Sequence, residues 1–427
     1  MERLARKEMR LIEITLDYPY ANGEPFIEDE LRIAEGFFDE IILVSMSGHT
    51  NNGPVRYVPG NVKLVNARKK QYEPLIAIAC FIRLLGWKTV REIIFARKNI
   101  KAKENIIKIY RTIFLYYYYD ALTRRGLRQI GIREHDVLYS YWMAGPAYSL
   151  AAFKHKCLTV TRTHRFDCFI ENGYQPFRRE IIEGMDAIYS ISDAGKKSIE
   201  RRLMPFTSSS EDKVRVARLG IFAYGLPKEW KRKEDDPFEI LTCSYIKDVK
   251  RLDLIIGALE NIMIPIRWTH IGDGELRCEI KKQAECLCNN PKVKYRFLGQ
   301  KNRKEIYDYY KDQRVDLFVN CSDSEGIPVS IMEALSFGIP VVTRNVGGNS
   351  EIVDGSCGIL LDEAVSSSDL SDAICKMYEL EEGEYSNLRK GAYVMFRNRY
   401  DAKKNYAEFF DELSGGVYLR AGVGMPI

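Results

Sequence analysis

The chain has 427 residues, with 64 Lys and Arg against 59 Asp and Glu and a net charge of +5 at pH 7. That length favours two domains of roughly 200 residues, each large enough to bury its own core. The composition is that of an ordinary soluble globular protein, and no apolar run approaches the roughly 18 residues needed to span a bilayer.

Met9 to Leu16 reads as the first strand. Asn22-Gly23 follows as a turn that permits close backbone approach, either in an acceptor or phosphate cleft or as an ordinary strand-to-helix turn. An acidic helix starts near Phe26, and Ile41 to Ser45 is the next strand. From 51 to 150 the character changes, with 18 Lys and Arg against 6 Asp and Glu. An apolar segment, Leu75 to Trp87, and a basic-flanked helix, Lys101 to Arg125 with Tyr116 to Tyr119, lie within it. Basic residues beside apolar faces suit peripheral contact with an anionic membrane through residues 63–133, and equally a solvated helical face over a core. Nucleic acid is a poor partner, because no DNA- or RNA-binding module accompanies the charge.

His135 to Tyr141 and Leu158 to Thr161 read as buried strands, and RTHRFD follows the second. His164 therefore stands in a loop at the carboxyl end of a strand, flanked by Arg162, Arg165 and Asp167. Histidine suits a substrate hydroxyl and arginine a phosphate, although a locally satisfied loop histidine explains the same letters. Ala187 to Ile191 reads as the last strand of the first domain. The boundary is expected between 205 and 235, with domains at 1–213 and 214–400.

The second domain opens with strand, loop and helix over FEILTCSYIKDVKRLDLIIGAL, where Lys250 and Arg251 at the helix junction could neutralise a diphosphate. Gly272 and Gly274 mark another strand-to-helix turn without the full G-x-G-x-x-G pattern, so a dehydrogenase reading fails. His270, within its strand, reads as a core residue. Val315 to Asn320 is a buried strand. A loop with Glu325, Gly326 and Ile327 follows, then a helix opening at Pro328 and Val329, a strand at Ile339 to Thr343 and the turn Gly347-Gly348. The loop and helix N-terminus suit an anion, and Glu325 and Glu333 suit sugar hydroxyls unless both are solvated helix-face residues. Ser366 to Tyr400 is mainly helical, and Asn405 to Leu413 is the last helix.

Ten cysteines are scattered without paired zinc spacing and read as small core residues. With no signal peptide in the sequence, this predicts a reducing cytoplasmic setting.

SEGIPVSIMEALSFGIPVVTRNVGGNSEIV resembles the E-x7-E region of glycosyltransferase family 4, retaining enzymes of GT-B fold. Glu325 and Glu333 fall on its glutamates, with Gly326, Pro328, Gly338, Pro340, Gly347, Gly348 and Glu351 matching. RTHRFD is similar to an Arg-x-His-x-x-Asp stretch of capsular-polysaccharide members. The chain departs from the pattern at Cys243-Ser244, where the family has Gly-Arg, and its spacing to Lys250 and Arg251 is one residue longer.

The resemblance implies an α/β GT-B fold, with two Rossmann-like domains across a cleft and a C-terminal helix, about 400–413, crossing back to the first. It implies transfer from a UDP- or GDP-sugar to a saccharide or polyprenyl-diphosphate-linked acceptor, with retention and without metal or other cofactor. The setting implied is cell-surface polysaccharide synthesis at the inner face of the membrane. His164, Lys250, Arg251 and Glu325 would be catalytic. Gly272, Gly326, Ile327, Pro328, Val329, Glu333, Gly347 and Gly348 would bind donor. Asn22, Gly23, Arg162 and Asp167 would line the acceptor cleft. The rival readings are a non-catalytic sugar-nucleotide-binding partner subunit and a GT-B epimerase or hydrolase.

Overall fold

A computed structural model describes residues 9–21, 24–48, 53–100, 105–169, 173–223 and 236–420. The chain divides into two compact units: residues up to Leu219 together with those from Ala402 on, and Gly220–Asp401.

The first unit is built on a seven-stranded sheet. Its strands are β1 (Arg10–Thr15), β2 (Glu40–Ser45), β3 (Val62–Asn66), β4 (Val137–Ser140), β5 (Leu158–Thr163), β6 (Ala187–Ser190) and β7 (Val214–Val216). They lie in the order β3-β2-β1-β4-β5-β6-β7, and every pairing is parallel. Parallel strands need helical crossovers that cover both faces, so central strands are buried throughout. All six residues of β1 are buried. The direction of strand addition reverses between β1 and β4, and the loops leaving those two strands diverge there.

The expected boundary at 214 needs correction. Val214–Val216 pairs with β6 and completes the first sheet, which moves the division to Leu219/Gly220. The final helix, Ala402–Arg420, belongs to the first unit. Its Phe410 packs on Phe37 and Phe38, and Phe409 meets Tyr139 and Tyr189 edge to face. The apolar segment read over Leu75 to Trp87 is two helices, Glu73–Leu84 and Trp87–Phe95, separated at Gly86. The tyrosine-bearing helix runs Ile106–Ile130, later than the sequence suggested, with Asn105 accepting a capping bond from the Lys108 N–H at 2.8 Å.

The second unit has six parallel strands, β8 (Phe238–Cys243), β9 (Ile266–Ile271), β10 (Val293–Phe297), β11 (Leu317–Asn320), β12 (Val341–Arg344) and β13 (Gly358–Leu361). Their order is β10-β9-β8-β11-β12-β13, a doubly wound Rossmann arrangement whose switch point falls between β8 and β11. Trp268 is fully buried in this core, and its indole N–H donates to Thr242 Oγ1 at 3.0 Å. His270, fully buried with Nδ1 2.9 Å from the Thr242 hydroxyl, is a core residue as expected.

Candidate active site

The switch point of the second unit gathers the two loops singled out in the sequence. After β8 the chain makes a short 3-10 turn ending at Lys250, and after β11 it reaches Glu325. Lys250 Nζ lies 2.6 Å from Glu325 Oε1. The Asn320 side-chain amide donates to the same oxygen at 3.3 Å, while the Ser322 N–H donates to Asn320 Oδ1 at 3.1 Å. Glu325 Oε2 makes no hydrogen bond among the described residues. Both side chains keep partial solvent access, 22% for the lysine and 11% for the glutamate, so a ligand can reach them.

The helix Val329–Ser336 starts beside this pair, with Pro328 as its N-cap residue in extended backbone. Proline there pre-sets the chain for the helix and sacrifices no hydrogen bond. The N–H groups that open this helix lie at the sheet's carboxyl edge, a geometry suited to an anion. Glu333 is buried on this helix. Its charge adds to burial in pushing the Cys243 thiol and the Tyr310 hydroxyl up from their ordinary values. The carboxylate thus sits close to the end of β8, not on a solvated helix face.

Two of the expected donor-binding glycines serve loop against loop. Gly347 has φ +56°, and a Cβ there would stand 1.8 Å from the Glu325 carbonyl oxygen. The neighbouring Gly348 N–H donates to the Gly326 carbonyl at 2.8 Å, clasping the loop that carries Glu325. Gly272, at φ +147°, presses equally close to the Ser244 carbonyl in the loop after β8. No side chain fits either contact, so these glycines place Glu325 and the Lys250 loop.

Arg251 and Lys250 separate into different roles. Arg251 takes left-handed backbone, φ +50°, and caps the helix Leu252–Glu260. Its guanidinium is spent on Asp253 at 3.0 Å and Asp323 at 3.2 Å, and the bonds to Asp253 raise its pKa further. Asp323 is held in turn by Arg344, which also donates to the Cys321 carbonyl at 3.0 Å. Arg251 and Arg344 therefore brace the loop leading to Glu325, and Lys250 points at Glu325 itself.

At the switch point of the first unit the groups are bonded to each other. Glu24, in left-handed backbone at φ +57°, receives the N–H groups of Leu16 (3.0 Å), Asp17 (2.9 Å) and Tyr18 (2.8 Å). It also takes the indole N–H of Trp142 at 2.7 Å, tying the loop after β1 to the loop after β4. Burial raises its pKa, and the four donors oppose that rise. Sequence reading stopped one residue short, at Asn22-Gly23, which lie outside the described residues. An acidic residue just after a turn signal gives little warning of such a role.

His164 follows β5 and is 8% exposed. Its ring lies 4.5 Å from both the Tyr141 and Trp142 rings, and Nε2 is 3.1 Å from the Tyr141 carbonyl. A carbonyl only accepts, so Nε2 carries the proton. Burial and the Arg162 charge push the His164 pKa down to about 3, which makes it a neutral hydrogen-bonding group and not an acid. Asp167 accepts the backbone N–H groups of His164 (2.5 Å) and Met143 (2.8 Å), and burial lifts its pKa to about 6. It is a brace between loops.

Arg162 does not line a cleft. It is fully buried, pairs with the equally buried Glu30 at 2.9 Å, and stacks over Phe409 of the final helix with its guanidinium carbon 4.2 Å from the ring centroid. A residue inside a parallel strand points into one packed face or the other, and here the face is covered by that helix. Glu13, also fully buried, adds a second carboxyl to the cluster, and burial holds its pKa well above the ordinary value.

A cavity of about 420 Å³ opens at the carboxyl ends of the strands on the other side of β1. Asp17, Ser47, Arg68, Leu115, Tyr118 and Tyr119 are among its lining residues. Of the tyrosine run, Tyr116 and Tyr117 are core residues, while Tyr118 and Tyr119 face this space. Among the described residues no three His, Cys, Asp or Glu side chains converge as a metal-binding group.

A family model described as Glycosyl transferases group 1 matches residues 227–395. The GtfA subunit of UDP-N-acetylglucosamine--peptide N-acetylglucosaminyltransferase from Streptococcus agalactiae is 25% identical over 61% of this chain and 51% of its own length. The chain thus matches about half of that relative. The O-antigen biosynthesis glycosyltransferase WbnH of Escherichia coli is 26% identical over 64% of this chain and 76% of its own. Among solved structures, the lipopolysaccharide outer core galactosyltransferase WaaB superposes with a TM-score of 0.63 at 14% identity, covering 96% of this chain and 99% of WaaB. Anabaena Alr3699/HepE in complex with UDP-glucose gives 0.59 at 14% identity over 95% and 99%. With its two parallel Rossmann-like sheets this chain has the GT-B fold, and its match to the group 1 glycosyl transferase model falls within its second unit.

Proposed function

We propose that the protein transfers a sugar from a nucleoside diphosphate sugar, UDP- or GDP-linked, to a hydroxyl of a saccharide acceptor carried on a polyprenyl diphosphate, with retention of configuration, in polysaccharide assembly. The observation that carries this reading is the Lys250–Glu325 pair at the β8/β11 switch point, beside a helix N-terminus. Cation and N–H groups suit a diphosphate, and carboxylates suit hydroxyls. The names of the O-antigen relative and of the UDP-glucose complex support the substrate class.

As the bond from the anomeric carbon to the diphosphate breaks, negative charge builds on the leaving oxygens. The Lys250 ammonium and the N–H groups at Val329 would hold that charge, doing the work a metal ion does elsewhere. Glu325 would take sugar hydroxyls once the donor phosphate competes for Lys250, and Glu333 the ribose hydroxyls. The acceptor would attack from the face the diphosphate leaves, so configuration is kept without an enzyme nucleophile. His164, neutral at working pH, would orient a hydroxyl and not transfer its proton. The cavity beside Arg68 would receive the acceptor.

Calorimetric titration of the chain with UDP-, GDP- and ADP-sugars tests the donor class. One family is expected to bind, and Glu333→Ala is expected to weaken it about tenfold or more. Retention is read from the anomer of the first-formed product by NMR. Binding with no transfer to any lipid-linked or soluble saccharide favours the partner-subunit reading, and full-rate release of nucleotide without acceptor favours a hydrolase.

A further inference from the structure

The helix Glu73–Leu84 is apolar on two faces. Ile76, Cys80 and Leu84 recur at helical spacing and pack into the first unit's core. Leu75, Ile78, Phe81, Ile82 and Leu85 form the opposite stripe and are exposed, and Trp87 opens the next helix 71% exposed. Scattered exposed apolar residues are normal on a monomer, but a contiguous stripe of six large ones marks a surface that something covers.

The charges around the stripe decide what covers it. Between Glu73 and Lys98 there are two acidic residues, and both are occupied within the unit. Glu73 holds Arg68 at 2.7 Å. Glu92 is buried, takes the Phe177 N–H at 2.8 Å and the Tyr174 hydroxyl, and is raised in pKa by burial. Arg91, Arg97 and Lys98 are exposed, whereas the Lys88 ammonium is turned in to the Tyr148 hydroxyl at 2.5 Å. Within this stretch the face offered is therefore apolar and cationic, and neither acidic side chain is left to repel an anion. A 12-residue helix is about 18 Å long, short of the roughly 30 Å hydrocarbon layer, and no helix of the described residues is long and apolar enough to cross a membrane. An element of this kind lies in the interfacial plane.

We propose that the face formed by Leu75, Ile78, Phe81, Ile82, Leu85 and Trp87 inserts into the surface of a bilayer rich in anionic lipid, with Arg91, Arg97 and Lys98 at the level of the headgroups. The helix starts beside the cavity described above, where Glu73 holds Arg68 of its lining. A lipid-linked acceptor would thus enter sideways from the bilayer. That last clause rests on the proposed transfer reaction, whereas membrane docking stands without it.

The test is flotation of the full chain with phosphatidylglycerol/phosphatidylcholine vesicles and with phosphatidylcholine alone, in low and high salt, without donor or acceptor. Wild type is expected to float with the anionic vesicles at least tenfold better than with the neutral ones, and to lose that margin in high salt. F81S/I82S is expected to lose flotation with its melting temperature kept, and R91E/K98E to lose the preference for anionic lipid. Failure of wild type to float, or unchanged flotation of F81S/I82S, overturns the proposal. So does a wild-type dimer that F81S/I82S converts to a monomer and that ignores vesicles, since a second copy would then cover the face. Because no reaction is measured, docking and transfer can fail separately.

Discussion

The two sheets share one topological rule and use it differently. At the switch point of the second unit, Lys250 and Glu325 meet 2.6 Å apart with solvent access and a helix N-terminus beside them. At that of the first unit, Glu24 is consumed by four N–H groups, and His164 is buried between two aromatic rings. One crevice is chemically poised and the other is structurally locked. An ion pair with solvent access can exchange partners for a ligand at little cost, whereas a buried, fully bonded carboxylate cannot.

The largest effect expected from breaking this contrast is on stability. Arg162→Met removes the cation that pairs with Glu30, and both side chains are fully buried. The loss is expected to be about 3–5 kcal/mol, measured by urea unfolding, because one buried charge is left uncompensated. Activity per folded molecule should be kept. A change confined to acceptor KM, with stability unchanged, would return Arg162 to the cleft.

Next comes the poised crevice. Lys250→Ala is expected to slow transfer by about 100-fold, with the melting temperature within a degree or two, because a charge-stabilising donor is lost from a site that keeps partial solvent access. Arg251→Ala is expected to cost far less, since its guanidinium is bound to Asp253 and Asp323. Equal losses for the two variants would erase the division of labour between them.

The smallest effect is a pH dependence in the locked crevice. His164 has a folded pKa of about 3 against an ordinary 6.5, so the unfolded chain binds the extra proton first. Its contribution is complete above about pH 6.5 and is lost as pH falls toward 3. Asp167, raised to about 6, acts in the opposite sense, gaining stability as pH falls from 6 toward its ordinary value. Replacing His164 with Gln should therefore flatten the acid side of the stability curve, by about 1–2 kcal/mol between pH 7 and 5. An unchanged slope would mean that the ring is not buried as described.

The same contrast explains how far the residues alone could be read. The region from Leu317 to Gly348 was legible because strand, loop, helix and glycine turn are contiguous, so each local preference supports the next. Glu325 stands in the loop after β11 and Glu333 on the following helix, where the strand–loop–helix pattern puts them. Glu24 and Trp142 lie 118 positions apart, and no local pattern announces that they meet. Arg162 misled for the same reason. Its neighbours in sequence suggest a loop, and its burial depends on Glu30 and on Phe409 from the far end of the chain.

By itself the sequence determined the alternation of strands and helices, set by periodicity and turn chemistry within a few residues. Chain length pointed to two domains, and the glutamate-bearing motif was legible through its likeness to a family pattern. The tertiary structure decided that Val214–Val216 closes the first sheet, and that Lys250 rather than Arg251 meets Glu325. It also decided that His164 is neutral and that the helix Glu73–Leu84 keeps an apolar face outward. Those four outcomes depend on which distant groups share a volume and how much water they exclude, and both quantities exist only once the chain has folded.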